Sequence, residues 1–293
     1  MTMVTYTSVV AHTTDAEFRA WGQELSTNLA ASGLVQTADT GQINWTTVTR
    51  PGTGVAAGYE IWRFADSSIY LKIEYGTGNT ATATSVWISV ATGSNGSGTL
   101  TPAGLTTTRT AFFNNTVPSA ITPYTTYIYR SADCVTVVFK NGSLGSGVAS
   151  GPIWLFVIGK SVDVTGAATT TGYSVLTCVY GGNLLVQSVR TVSPAILYTQ
   201  RSYGFTAIPN DPVSSVVGAD AQAYLFWIGL PQAQPWPWAF VYVAGDIGRF
   251  ITVSAALVGS TPHNYFTLGT VNGGSVLVSG YSSGNISLAV MME

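Results

Sequence analysis

The chain has 293 residues, enough for about two domains or one large all-β unit. Charged residues make up 8% of it, against roughly 25% in ordinary soluble proteins, while apolar residues stand at 46%; a hydroxyl-rich surface over an extensive core is expected, which argues against disorder. The 11 Lys and Arg are scattered and outnumbered by 13 acids, so no basic stripe is available to neutralise the phosphates of a nucleic acid.

The segment Met1 to His12 has no Lys or Arg and no long apolar run, and so lacks both parts of a signal peptide. One helix is predicted to begin at Thr14, where Thr14-Asp15-Ala16-Glu17 has capping-box form with two acids in the first turn. Phe18, Trp21, Leu25 and Leu29 then recur at spacings that build a single apolar face, and Gly33 is placed to end the helix in a left-handed cap. Docking of Phe18 and Trp21 onto the protein's own sheet is favoured over docking onto a neighbouring subunit, but both residues are kept as interface candidates.

After Gly41 the texture changes to short runs of Val, Ile, Thr, Tyr and Trp punctuated by Gly, Asn and Ser. Ile69, Leu71 and Ile73 alternate with Tyr70, Lys72 and Glu74, and Val86, Ile88 and Val90 repeat the pattern, each predicting a strand with one apolar face. Further strands are expected at 59–64, 135–140, 153–158, 173–179, 184–189, 196–203, 224–229, 240–243, 250–258, 265–268 and 286–291. Many short strands with almost no helix predict a mainly β fold of antiparallel sandwich or barrel-like domains carrying one N-terminal amphipathic helix. No repeat with a period of about 20–50 residues is visible, which argues against a β-helix or propeller.

Gly93 to Gly98 and Gly142 to Gly151 read by composition as the most flexible segments. A boundary near Ser150 divides the chain into an N-terminal helix plus β domain, 1–150, and a C-terminal β-sandwich domain, 151–293. Ala221 to Gly245 is apolar enough to suggest a membrane span, but Pro231, Pro235 and Pro237 interrupt it, so two buried strands joined by a proline loop are expected instead. Cys134 and Cys178 are too few for a disulfide framework and wrongly spaced for a zinc ribbon; buried free thiols are expected, with a disulfide between them as the lesser alternative.

Candidate catalytic motifs are weak. Gly280-Tyr281-Ser282-Ser283-Gly284 matches the nucleophile elbow as a string, but a strand rather than a helix is predicted after it and no His follows. Gly159-Lys160-Ser161 has Trp154 where a phosphate-binding loop needs Gly. His12 and His263 are the only histidines, and neither has a partner at ligand spacing. Thirteen acids offer many carboxylate pairs of which none is singled out, so no enzyme and no cofactor is expected. The most distinctive local feature is Gln232 to Trp238, whose prolines would hold Trp236 and Trp238 in an extended backbone as rigid anchors for a protein partner or a sugar face.

Three segments, Thr14 to Gly22, Gly33 to Trp45 and Gly58 to Phe64, closely resemble the opening of a group of tailed-bacteriophage virion structural proteins. The run Ile69 to Gly98 is similar to that group as well, Asp246 to Gly269 more loosely, and the middle from about Gly104 to Asp220 departs from it. The resemblance implies a non-enzymatic particle component in the tail, baseplate or fibre region rather than the head. Its expected partners are copies of itself and other virion proteins, with neither nucleic acid nor membrane insertion. A receptor- or carbohydrate-binding module of the tail is the alternative, followed by a head decoration protein.

Overall fold

The computed structural model describes residues 2–9, 12–65, 69–78, 84–103, 109–114, 123–130, 134–141, 153–162, 168–179, 184–190, 196–203, 214–218, 221–225, 240–244, 250–253, 263–270 and 286–291. Strand β1 (Thr2–Val9) precedes the only described helix, α1 (Asp15–Ala31), and β2 (Leu34–Gln36), β3 (Ala56–Phe64), β4 (Tyr70–Thr77) and β5 (Thr84–Ala91) follow. A short ribbon pairs β6 (Gly93–Ser94) with β7 (Leu100–Thr101), and β8 (Thr110–Asn114) completes a five-stranded sheet ordered β2-β3-β4-β5-β8. The next strands are β9 (Pro123–Arg130), β10 (Cys134–Asn141), β11 (Ile153–Val162), β12 (Ala168–Val179), β13 (Leu184–Arg190) and β14 (Ile196–Tyr203). They form a meander with β1 added at its edge, giving a seven-stranded sheet ordered β1-β9-β10-β11-β12-β13-β14. A third sheet, ordered β15-β16-β17-β20-β19-β18, is built from β15 (Ser214–Gly218), β16 (Ala221–Leu225), β17 (Phe240–Ala244), β18 (Phe250–Val253), β19 (His263–Thr270) and β20 (Ile286–Met291). Neighbouring strands are antiparallel throughout the described ladders, so the protein is mainly β, with one helix among the described residues, as the strand-rich sequence predicts.

Local chemistry sets the bounds of α1. Thr14 Oγ1 accepts from the Glu17 amide at 3.2 Å while Glu17 Oε2 accepts from the Thr14 amide at 3.1 Å, so the capping box is closed in both directions. At the other end Gly33 takes φ +95, the left-handed conformation that lets the chain leave the helix towards β2. The face of α1 that carries Phe18, Trp21, Leu25 and Leu29 is buried against Trp62, Phe64, Leu71, Ile73, Tyr75, Val86, Ile88 and Val90 of the five-stranded sheet. The same core takes in Tyr124 and Ile128 of β9, Val135, Val137 and Phe139 of β10, and Phe156 and Ile158 of β11. Helix and two sheets therefore share one interior, and full burial of each Phe, Leu, Ile or Val there contributes about 1.5–3 kcal/mol.

The ladder corrects two expectations. The boundary set near Ser150 falls between β10 and β11, which pair directly from Cys134↔Gly159 to Lys140↔Ile153, so one sheet runs across that position; residues 142–152 themselves lie outside the described residues. The disulfide alternative is removed by register: Cys134 faces Gly159 on β11, whereas Cys178 faces Leu155. Two strand spacings (~10 Å) and four residues along the strands (~14 Å) separate the two cysteines. That is far beyond the roughly 7 Å between Cα atoms that a disulfide tolerates.

Candidate functional site

Side chains of β3 and β4 alternate between the core and an opposite face, part of which is covered where Ile61, Ala91 and Leu100 pack together. That second face carries Tyr59, Tyr70, Lys72, Glu74 and Trp87, and register sets Tyr59, Glu74 and Trp87 in one row across β3, β4 and β5. Arg109 Nε donates to Glu74 Oε2 at 2.7 Å, and its guanidinium lies 4.1 Å from the centre of the Trp87 ring. Lys72 Nζ stands 4.4 Å from the centre of the Tyr59 ring and donates to the Gly98 carbonyl at 2.9 Å. A sugar stacking on the covered face of either ring would have to displace a cation already held there.

The Gly-Ser run at 93–98, read as flexible from its composition, is tied down instead. Asp39 accepts through Oδ1 from Thr37 Oγ1 at 2.7 Å, and through Oδ2 from Ser94 Oγ and from the Gly98 amide at 3.1 Å. Partial burial pushes the Asp39 carboxyl up, but these bonds, with the Gly96 amide, outweigh it and hold the group below the usual carboxylate range. Gly98 adopts φ +89 under the Tyr59 hydroxyl, where a Cβ would collide with the ring, so the glycine is required by the turn and by close approach together.

Beneath the sheet lies Glu60, 1% exposed. Its Oε1 accepts from Ser26 Oγ of α1 at 2.7 Å and from Trp45 Nε1 at 3.0 Å; its Oε2 accepts from Trp62 Nε1 at 3.3 Å and from the Tyr75 hydroxyl at 2.5 Å. Four donors fill the roughly four lone-pair positions of a carboxylate, so this acid is saturated and serves as a structural anion rather than as a general base. Burial and the adjacent Glu60 charge push the Tyr75 hydroxyl well up, which keeps it a donor.

A second buried polar group sits where β1 passes into α1. His12 is 1% exposed, with its ring 4.9 Å from that of Phe18 and 5.9 Å from that of Trp21. Arg50 Nε donates to His12 Nδ1 at 3.1 Å, and His12 Nε2 meets Thr84 Oγ1 at 2.8 Å. Arg50 Nε can only donate, so Nδ1 carries the lone pair and the ring proton resides on Nε2, which donates to Thr84. Burial first, then the Arg50 charge, lowers the imidazole from 6.5 to about 4.

Among the described residues the β1 edge of the seven-stranded sheet is unpaired. β1 pairs with β9 from Thr2↔Arg130 to Val9↔Pro123, and no described strand pairs with its other side. Thr5 and Thr7 are exposed, Met3 is 44% exposed, and the strand holds no charge, proline or glycine.

The structure divides the expected interface residues. Phe18 is 0% and Trp21 2% exposed, both packed inside their own chain as the favoured core reading has them, so they drop out as interface candidates; their rings are used up against Trp45, Tyr75 and His12. Trp236 and Trp238 lie outside the described residues, as does Gly280 to Gly284. Gly159, Lys160 and Ser161 belong to β11, in a strand rather than a phosphate-binding loop. The apolar stretch at 221–245 includes β16 and β17, which pair antiparallel, and among the described residues no helix is long and apolar enough to cross a membrane. Among the described residues no group of three His, Cys, Asp or Glu could hold a metal ion. Sequence reasoning missed Glu60 and the partners of His12, because apart from Trp62 the groups that meet them come from positions far away along the chain. No protein-family model matches the chain, and no curated protein or solved structure matches it.

Proposed function

We propose that the chain is a non-enzymatic structural subunit of a tailed-phage virion, in the tail, baseplate or fibre region, acting through contacts with copies of itself and with other particle proteins. The observation that carries this reading is the β1 edge, which no described strand pairs. An uncharged eight-residue strand without lysine, proline or bulge is the kind of edge that proteins working as monomers protect, and an assembly covers it with a neighbour. The low charge of the whole chain supports the same reading, since little charge opposes association.

The carbohydrate-binding alternative places its stacking platform on Trp236 and Trp238, because the ring faces of Tyr59 and Trp87 already hold cations. Electron microscopy of intact particles with gold label directed at this chain tests the assignment. Label at the tail tip or fibres is the expected result; label over the head moves the chain to decoration, and particles without label remove the virion role.

A further inference from the structure

The joint between β1 and α1 contains a titratable group that only one protonation state fits. His12 receives a hydrogen bond from a guanidinium at Nδ1 and donates from Nε2 to Thr84; the first contact requires the neutral ring, because a protonated Nδ1 has no lone pair to accept with. The segment before β3 presents Arg50, a cation; β5 presents Thr84, a neutral hydroxyl; α1 presents the rings of Phe18 and Trp21. The carboxylates of the first helical turn are already engaged: Asp15 Oδ1 accepts from the Arg50 amide at 2.8 Å, and Glu17 Oε2 accepts from the Thr13 and Thr14 amides. A proton placed on Nδ1 would thus meet a guanidinium at hydrogen-bond distance near the positive end of a helix, and burial and the Arg50 charge outweigh the opposing pull of a backbone hydrogen bond at His12 and of the Glu17 charge.

We propose that His12 is an acid-released latch, which when neutral clamps the β1–α1 joint to Arg50 and Thr84 and when protonated lets β1 and the first turn of α1 loosen from the sheets. The sign follows from the lowered value of about 4 in the folded chain against 6.5 when exposed. The clamp is fully present above about pH 6.5 and is lost progressively as the pH falls through 4, because the opened joint binds the proton more readily. The latch stands apart from the virion assignment, since it concerns the intact chain in any assembly.

Hydrogen-exchange mass spectrometry on the intact chain tests it, following peptides from 2–18 at about pH 7 and about pH 4.5 with intrinsic rates corrected. Opening of this segment should rise roughly 50-fold in acid relative to β4 and β5. His12→Gln should abolish the acid response, since its carboxamide can accept from Arg50 and donate to Thr84 without titrating. An equal acid response in both proteins, or none in the natural chain, overturns the latch. Should the variant fail to fold, the natural chain is still decisive, because it has only two histidines to follow by NMR. One ring titrating near 4 supports the latch, and both titrating near 6.5 overturns it.

Discussion

The indole of Trp45 occupies the space over Gly22 of α1 that a side chain there would fill. A glycine inside a helix costs about 1 kcal/mol relative to alanine, so helix propensity alone favours Gly22→Ala. Packing reverses the sign. A methyl group would strike the ring that donates to Glu60, and Gly22→Ala is expected to destabilise the protein by about 1–3 kcal/mol in urea denaturation. Combined with Trp45→Leu the penalty should be well below the sum of the two, since the second change removes the obstacle.

Glu60→Gln should be among the most damaging single substitutions in the described core. The amide turns one acceptor oxygen into a donor facing two others, and the charge that strengthens all four bonds is lost. A cost of about 2–4 kcal/mol is expected. A thermal midpoint unchanged from that of the natural chain would show that the carboxylate is not the anchor of these four donors.

Asp39→Asn should act locally. Exchange of the Gly98 and Thr99 amides and proteolysis between 93 and 98 should both accelerate, with global stability moving by no more than about 0.5 kcal/mol, as for most surface changes. The folded carboxyl is held low, so the tie is present above the usual carboxylate range and is lost as the pH falls through the depressed value. Acid should therefore reproduce the variant's proteolysis pattern in the natural protein.

Both cysteines should be found as thiols within a monomer. Denaturation in the presence of an alkylating reagent, without reductant, should add two labels per chain by mass spectrometry, and reductant should leave the thermal midpoint unchanged.

Thr5→Lys places a charge on the exposed side of β1 without touching the core. If a neighbour covers this edge, light scattering should show larger species giving way to monomer while the circular dichroism spectrum stays the same. Natural and variant chains that are equally associated would move the contact to another surface.

The legible parts of the sequence were those whose cause is local. The capping box at Thr14, the apolar face from Phe18 to Leu29, the left-handed Gly33 and the alternation through β4 and β5 all depend on neighbours within a few residues, and each is found in place. β1 was missed because threonines alternate with its inward Val4, Tyr6 and Ser8, which weakens the apolar period. The Gly-Ser run was misread because the carboxylate holding it lies 59 residues away from the Gly98 amide. The Glu60 and His12 centres were invisible for the same reason, with most partners brought together only when helix, loop and sheet pack. Residue 150 looked like a boundary because glycine and serine say nothing of the pairing between the strands on either side.

The four donors around Glu60 bear on how faithfully β3 finds its place. Successive residues of a strand point to opposite faces, so a slip of β3 by one position against β4 would turn Glu60 outward and bring an apolar or aromatic neighbour under the helix. Ser26, Trp45 and Tyr75 would then be sealed inside with nothing to accept their protons, at about 1–3 kcal/mol for each stranded group. The carboxylate thus proofreads the alignment: an offset that hydrophobic burial alone would tolerate is rejected because it strands three hydrogen-bond donors together.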